Sequence, residues 1–119
     1  MQFHSEENLY KVVCITGPTH NLLGLEFAKQ VGEEVITEPI ILNANEPERL
    51  SADSVRNAVI MGVERANLDF STDYQLRRIQ FVVSDSSPVE VYSDLAWQIV
   101  RRLVTHPMKF NGVAGSMNV

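Results

Sequence analysis

His20, within Gly17-Pro18-Thr19-His20-Asn21, is the residue of this chain best suited to chemistry. An imidazole changes charge near neutral pH, and a turn held by a rigid sheet is a favoured place for an acid–base group. Asn21 beside it, and Asp85 in Ser84-Asp85-Ser86-Ser87, are the groups that would assist it. That unit exists only if the turn and the serine-rich hinge meet at one end of a sheet. A histidine in a surface turn with no catalytic role is the plainer reading.

The remaining reactive residues offer less. Cys14 is the single cysteine and falls within an apolar run, where a thiol behaves as a small hydrophobe. At about 3.3 Å per residue it lies far from His20 unless the chain folds back. The three histidines are far apart, and with one cysteine there is no metal-binding spacing, so no metal site is expected. There is no glycine-rich phosphate loop, so no nucleotide cofactor is expected. Ser86 and Ser87 precede a helix and could hold an anion through hydroxyls and free N–H groups. Asp85 opposes that with its own charge, and helix capping alone is the simpler use.

The binding candidates come from helical geometry. Trp97 falls off the apolar stripe of its helix, and an exposed tryptophan is a common anchor at interfaces. Ile60 and Met61 fall off the stripe of another helix. Together the three would form an apolar patch on a helical layer.

The elements that must position these residues follow from periodicity. Gln75–Val83 sets Ile79, Phe81 and Val83 against Arg78 and Gln80, the period of two of a half-buried strand. Ser87-Pro88-Val89-Glu90 has capping-box spacing, which predicts a helix opening at Pro88 and ending before Pro107. Its apolar face is Tyr92, Leu95, Ala96, Ile99, Val100 and Leu103, with Arg101 and Arg102 late, where cations suit the dipole. A second helix is expected from N-cap Ser51, with Leu50 and Val55 as a hydrophobic staple. Its face (Val55, Ala58, Val59, Gly62, Val63, Ala66) is small, so a neighbour should approach closely at Gly62.

Tyr10–Thr16 reads as a strand covered on both sides, and Leu22–Lys29 as its hairpin partner, with Gly24 marking a bulge or close approach. Val35–Leu42 is a third strand, and Pro39 within it points to a sheet edge. Residues 1–9 look like a polar lead-in. Residues 107–119 look like a tail or a short extra strand around Phe110–Ala114, after a single α+β domain over 1–106.

Strand, strand, strand, helix, strand, helix is most simply built as a two-layer α+β sandwich. A four-stranded sheet would carry both helices on one face. The other face, with Leu22, Leu76 and Val82, would be bare, covered by the tail, or joined to a second copy, hence a possible homo-oligomer. The order β-β-β-α-β-α resembles the fourth domain of elongation factor G and its relatives among translation proteins and small-molecule kinases. The run Ala58-Val59-Ile60-Met61-Gly62-Val63-Glu64-Arg65-Ala66 is similar to that domain's first helix. Asp85-Ser86-Ser87 is similar to the segment before its last. The resemblance spans about residues 35–104 and implies a fold rather than an activity.

Composition narrows the partners. The chain has 119 residues, 45% hydrophobic and 21% charged, with a formal net charge of −5. Scattered Lys and Arg make nucleic acid an improbable partner, because phosphate contacts need clustered cations. No apolar run reaches the roughly 18 residues of a membrane span, and the start is not that of a signal peptide. With the lone cysteine, a cytoplasmic location is expected. The favoured function is a small acidic binding protein, a regulatory subunit or an inhibitor or immunity-type protein, acting through a surface on a protein partner. The alternatives are an enzyme using His20, and a ribosome- or RNA-associated domain in which Arg77, Arg78, Arg101 and Arg102 form one patch.

Overall fold

The computed structural model describes residues 1–16, 19–86 and 88–113, with the side chains of Thr16 and Thr19 left aside. The elements are β1 (Gln2–Glu6), β2 (Leu9–Thr16), β3 (Thr19–Phe27), β4 (Ile36–Ile40), α1 (Ala52–Phe70), β5 (Leu76–Val82), α2 (Val91–Thr105) and β6 (Gly112–Val113). They form an α+β fold whose mixed sheet has the strand order β4-β5-β3-β2-β1-β6. Among the described residues only β4 and β5 pair in parallel, across the α1 crossover; the other pairs are antiparallel.

The core lies between one sheet face and the two helices. Val12, Leu23, Leu25, Ile79 and Phe81 rise from the strands to meet Val55, Val59 and Val63 of α1 and Leu95, Ile99 and Val100 of α2. The stripe expected for α1 is the buried one, and Ser51 caps it by accepting from the Ser54 N–H at 3.2 Å. A Cβ on Gly62 would sit 2.1 Å from the Ser93 carbonyl oxygen, so the two helices touch there backbone to backbone. Only a residue without a side chain fits.

Among the described residues the sheet has six strands, not four, because a strand before β2 and another after α2 join it. The stretch taken for a polar lead-in is β1, which contributes Phe3 alone to the core at 4% exposure. One apolar residue in five gives too little alternation to announce a strand. The tail returns as β6, pairing Gln2 with Val113 and Phe3 with Gly112. Arg102, expected to serve the helix dipole from the surface, is instead buried and straps this return. Its Nε donates to the Phe110 carbonyl at 2.9 Å and its guanidinium lies 5.0 Å from the Phe3 ring centre. The Asn111 side chain accepts from the Ser5 backbone N–H.

Other boundaries also move. β3 begins at Thr19, so His20 and Asn21 are strand residues rather than turn residues; Gly17 and Pro18 lie outside the described residues. Gly24 is in regular register, and the irregularity falls between Glu26 and Phe27. That shift turns Leu76, expected on the bare face, into the core cluster. α2 opens at Val91 with no side-chain cap from Glu90, while Pro88–Glu90 form a tight turn closed by Val91 N–H to Pro88 O at 3.2 Å. The expected Ser87 cap lies outside the described residues. β4 is an edge strand, where Pro39 removes no ladder bond that another strand needs.

The opposite face carries no helix. Val13 pairs with Leu22, Leu23 with Phe81, and Val82 with Ile40, so Val13, Leu22, Val82 and Ile40 line up in one row across four strands. Val82, expected on the bare face, is buried at 2% exposure, and Val13, Leu22 and Ile40 are half-buried, so this row does not stand open. The next row, His4, Lys11, Gly24, Gln80 and Glu38, is polar. β2 is therefore not covered on both sides, and Ile15 at its end is 67% exposed.

Candidate functional site

The hairpin and the serine hinge do meet at one end of the sheet, because β3 and β5 are neighbours. Ser86 N–H reaches the His20 carbonyl at 3.4 Å. Asn21 Nδ2 donates to the Ser86 carbonyl at 2.7 Å and lies 3.3 Å from the Tyr92 hydroxyl. Asp85 Oδ2 accepts from the Leu22 N–H at 2.7 Å and from the Tyr92 hydroxyl at 3.1 Å. Asp85 and Asn21 are buried, at 6% and 7% exposure. Burial raises the Asp85 carboxyl above its ordinary value; the Leu22 N–H, the Tyr92 hydroxyl and His20 pull it back, and Glu46 adds to the rise. Burial also raises the Tyr92 phenol, with Asp85 reinforcing it, so that hydroxyl stays a proton donor.

This cluster pins the start of β3 and the hinge to the first turn of α2. It does not assemble an acid–base pair. Strand alternation puts His20 on the sheet face opposite Asn21, where it is exposed, while the Asp85 oxygen points to buried donors. The hairpin does bring Cys14 level with Asn21, but Cys14 packs against the core and faces away from His20. Among the described residues no group of three or more His, Cys, Asp or Glu could hold a metal ion. The same residues include no helix long and apolar enough to cross a membrane.

The binding candidates separate. Met61 is 65% exposed and lies in a groove between α1 and α2, about 510 Å³ in volume, with Ala58, Arg65, Val89, Ser93 and Asp94. Trp97 is half-buried, tilted at 41° against Phe70 with ring centres 5.2 Å apart, and its Nε1 donates to Asp69 at 2.8 Å. Arg65, which lines the groove, sits 5.5 Å from the Trp97 ring centre, and Arg101 sits 6.0 Å away. Met61, Arg65 and Trp97 thus follow one another along the helical seam. Ile60 is half-buried on the other flank of α1, in a cavity of about 320 Å³ with Val35, Glu64 and Tyr74. Sequence reasoning overlooked Arg65, whose position four residues after Met61 is the signal that would have found it. Ser86 acts through its backbone, and Ser87 lies outside the described residues.

The four arginines do not form one patch. Arg78 is on the bare sheet face with Glu26 at 2.9 Å and Glu38 at 3.4 Å; Arg77 reaches Glu33 at 3.4 Å. Arg101 lies over Trp97 and Arg102 is buried. No family model, curated protein or solved structure matches this chain.

Proposed function

We propose that this chain is a small acidic binding protein that acts on a protein partner through the groove between α1 and α2. The observation that carries the reading is Met61, left 65% exposed beside Ala58 and Val89, with Arg65 and Trp97 continuing the same seam. Exposed methionine adapts to varied apolar surfaces, and tryptophan and arginine are the residues most often decisive in interfaces. The polar cluster of Asn21, Asp85 and Tyr92 has its hydrogen bonds satisfied internally, which favours a surface over a reaction centre. A regulatory or inhibitory role in the cytoplasm, with a basic target, agrees with the net charge of −5.

The test is a photo-crosslinking side chain introduced at Met61 in one protein and at His4, on the sheet face, in another. In the native host the Met61 probe should trap one partner that the His4 probe misses. Met61→Asp should cut capture at least tenfold with the circular dichroism spectrum unchanged. Equal trapping from both positions would overturn the reading.

A further inference from the structure

We infer that the occupant of the groove between α1 and α2 is an amphipathic helix of the partner protein, bearing a large apolar side chain and, one turn away, a lysine or arginine. This rests on the reading of the groove as the binding surface and names what fills it.

The first ground is main-chain bonding. An extended segment needs partners for its own N–H and C=O groups, and a groove walled by helices has few to give. Free N–H groups ordinarily stand at helix starts, but those beside the groove are taken. The N–H groups of Val91, Tyr92 and Ser93 donate to the carbonyls of Pro88, Val89 and Glu90. Ser54 N–H donates to the Ser51 hydroxyl and Val55 N–H to the Ser51 carbonyl. A helix brings its main-chain bonds with it and asks only for side-chain contact.

The second ground is shape. Ser54, Ala58, Met61 and Arg65 recur every three or four residues along the groove, which gives it a length of about 16 Å, or three turns, at 1.5 Å per residue. Ala58 is buried and Ser93 half-buried, so small side chains lie at the bottom, and Met61 stands 65% exposed beside them. A volume of about 510 Å³ accepts a large apolar side chain there.

The third ground is charge. Of the charged residues that line the groove, Arg65 and Asp94 answer each other at 4.0 Å, and Arg65 also lies over the Trp97 ring. Glu90 is left. It follows Val89 one turn before Asp94, is exposed, and forms no capping hydrogen bond and no ion pair among the described residues. An unanswered carboxylate at the lip of an apolar groove selects a cation. Side chains three or four apart on a helix lie about 5–6 Å from each other, so a cation one turn from the apolar anchor meets Glu90 while the anchor lies against Val89. A single helix over this length makes a small contact, and the complex should form and dissociate readily.

The test uses two synthetic amphipathic peptides of about three turns, each with leucine along one face. One carries lysine and the other glutamate one turn after the leucines, and fluorescence anisotropy reads their binding to the full chain. The lysine peptide should bind at least tenfold more tightly than the glutamate peptide. Glu90→Lys should abolish that preference, whereas Glu64→Lys, the same charge change on the other flank of α1, should preserve it. Met61→Asp should weaken the lysine peptide at least tenfold with the circular dichroism spectrum unchanged. Equal binding of the two peptides would overturn the inference, as would a preference that Glu90→Lys leaves intact or an affinity that survives Met61→Asp. Such a failure while the Met61 photo-probe still traps a partner would overturn this inference alone. A Met61 probe no different from the His4 probe would overturn the groove reading with it.

Discussion

Gly62 shows how one position without a side chain sets the spacing of a whole layer. Alanine outranks glycine in a helix by about 1 kcal/mol, but here the added carbon would meet the Ser93 carbonyl. Overpacking costs about 1–3 kcal/mol, and backbone against backbone belongs at the upper end. Gly62→Ala should therefore lose about 2 kcal/mol net in urea unfolding, while Leu68→Ala, at an exposed site of the same helix, should change little.

Asp85 is a residue whose charge works against its own site. Because its pKa is raised on folding, the native state holds the proton more tightly than the unfolded chain does. Its contribution is fully present below the ordinary value of 3.8 and is lost as pH rises through the folded value. Asp85→Asn keeps an oxygen for Leu22 and Tyr92 while removing the charge. The stability of this variant relative to wild type should rise as pH climbs above the ordinary carboxylate value of 3.8. Asp85→Ala, which strands a backbone N–H and a phenol, should instead cost about 2–3 kcal/mol. Urea midpoints at several pH values separate the two.

Among the elements, the two helices and β5 were legible because their information is local. Apolar residues recur every three or four positions in α1 and α2 and every second position in β5, and Ser51 caps where its type predicts. β1 was not legible, although it forms a hairpin with β2, because one apolar residue in five shows no alternation; β6 was foreseen only as one of two readings of the tail, because the partner that defines it, β1, lies more than a hundred residues away. The start of α2 was misplaced because Pro88-Val89-Glu90 satisfies a tight turn as readily as a first helical turn. At the polar cluster, Asn21 and Asp85 were singled out, but Tyr92 was counted only as a core residue; its hydroxyl is what joins them. Arg102 was misjudged because a cation in a last helical turn ordinarily serves the dipole, and nothing local tells that a returning strand needs its donors. Arg102→Leu should cost about 2 kcal/mol, since charge-assisted bonds to carbonyls contribute about 1.5–3. It should also speed hydrogen exchange at Phe3 and Gly112 while leaving β5 protected.

At the scale of the molecule, the two layers present different surfaces. The helical side carries the mixed seam of Met61, Arg65 and Trp97, and the sheet side carries the polar row of Lys11, Gln80 and Glu38 beside the ion pairs of Arg78. Residues 35–104 run as β4, α1, β5 and α2. β1 and β2–β3 precede this run and β6 follows it, widening the sheet on one side. One consequence belongs to the pairing of Gln2 with Val113. It sets β1 beside β6, the first and last described strands, so a linker from residue 113 to residue 1 could join them and new ends could be opened in the exposed loop at Asn43–Glu46. Such a circular permutant should reach the same fold, and should reach it faster, because the contact most distant along the chain would become a local one.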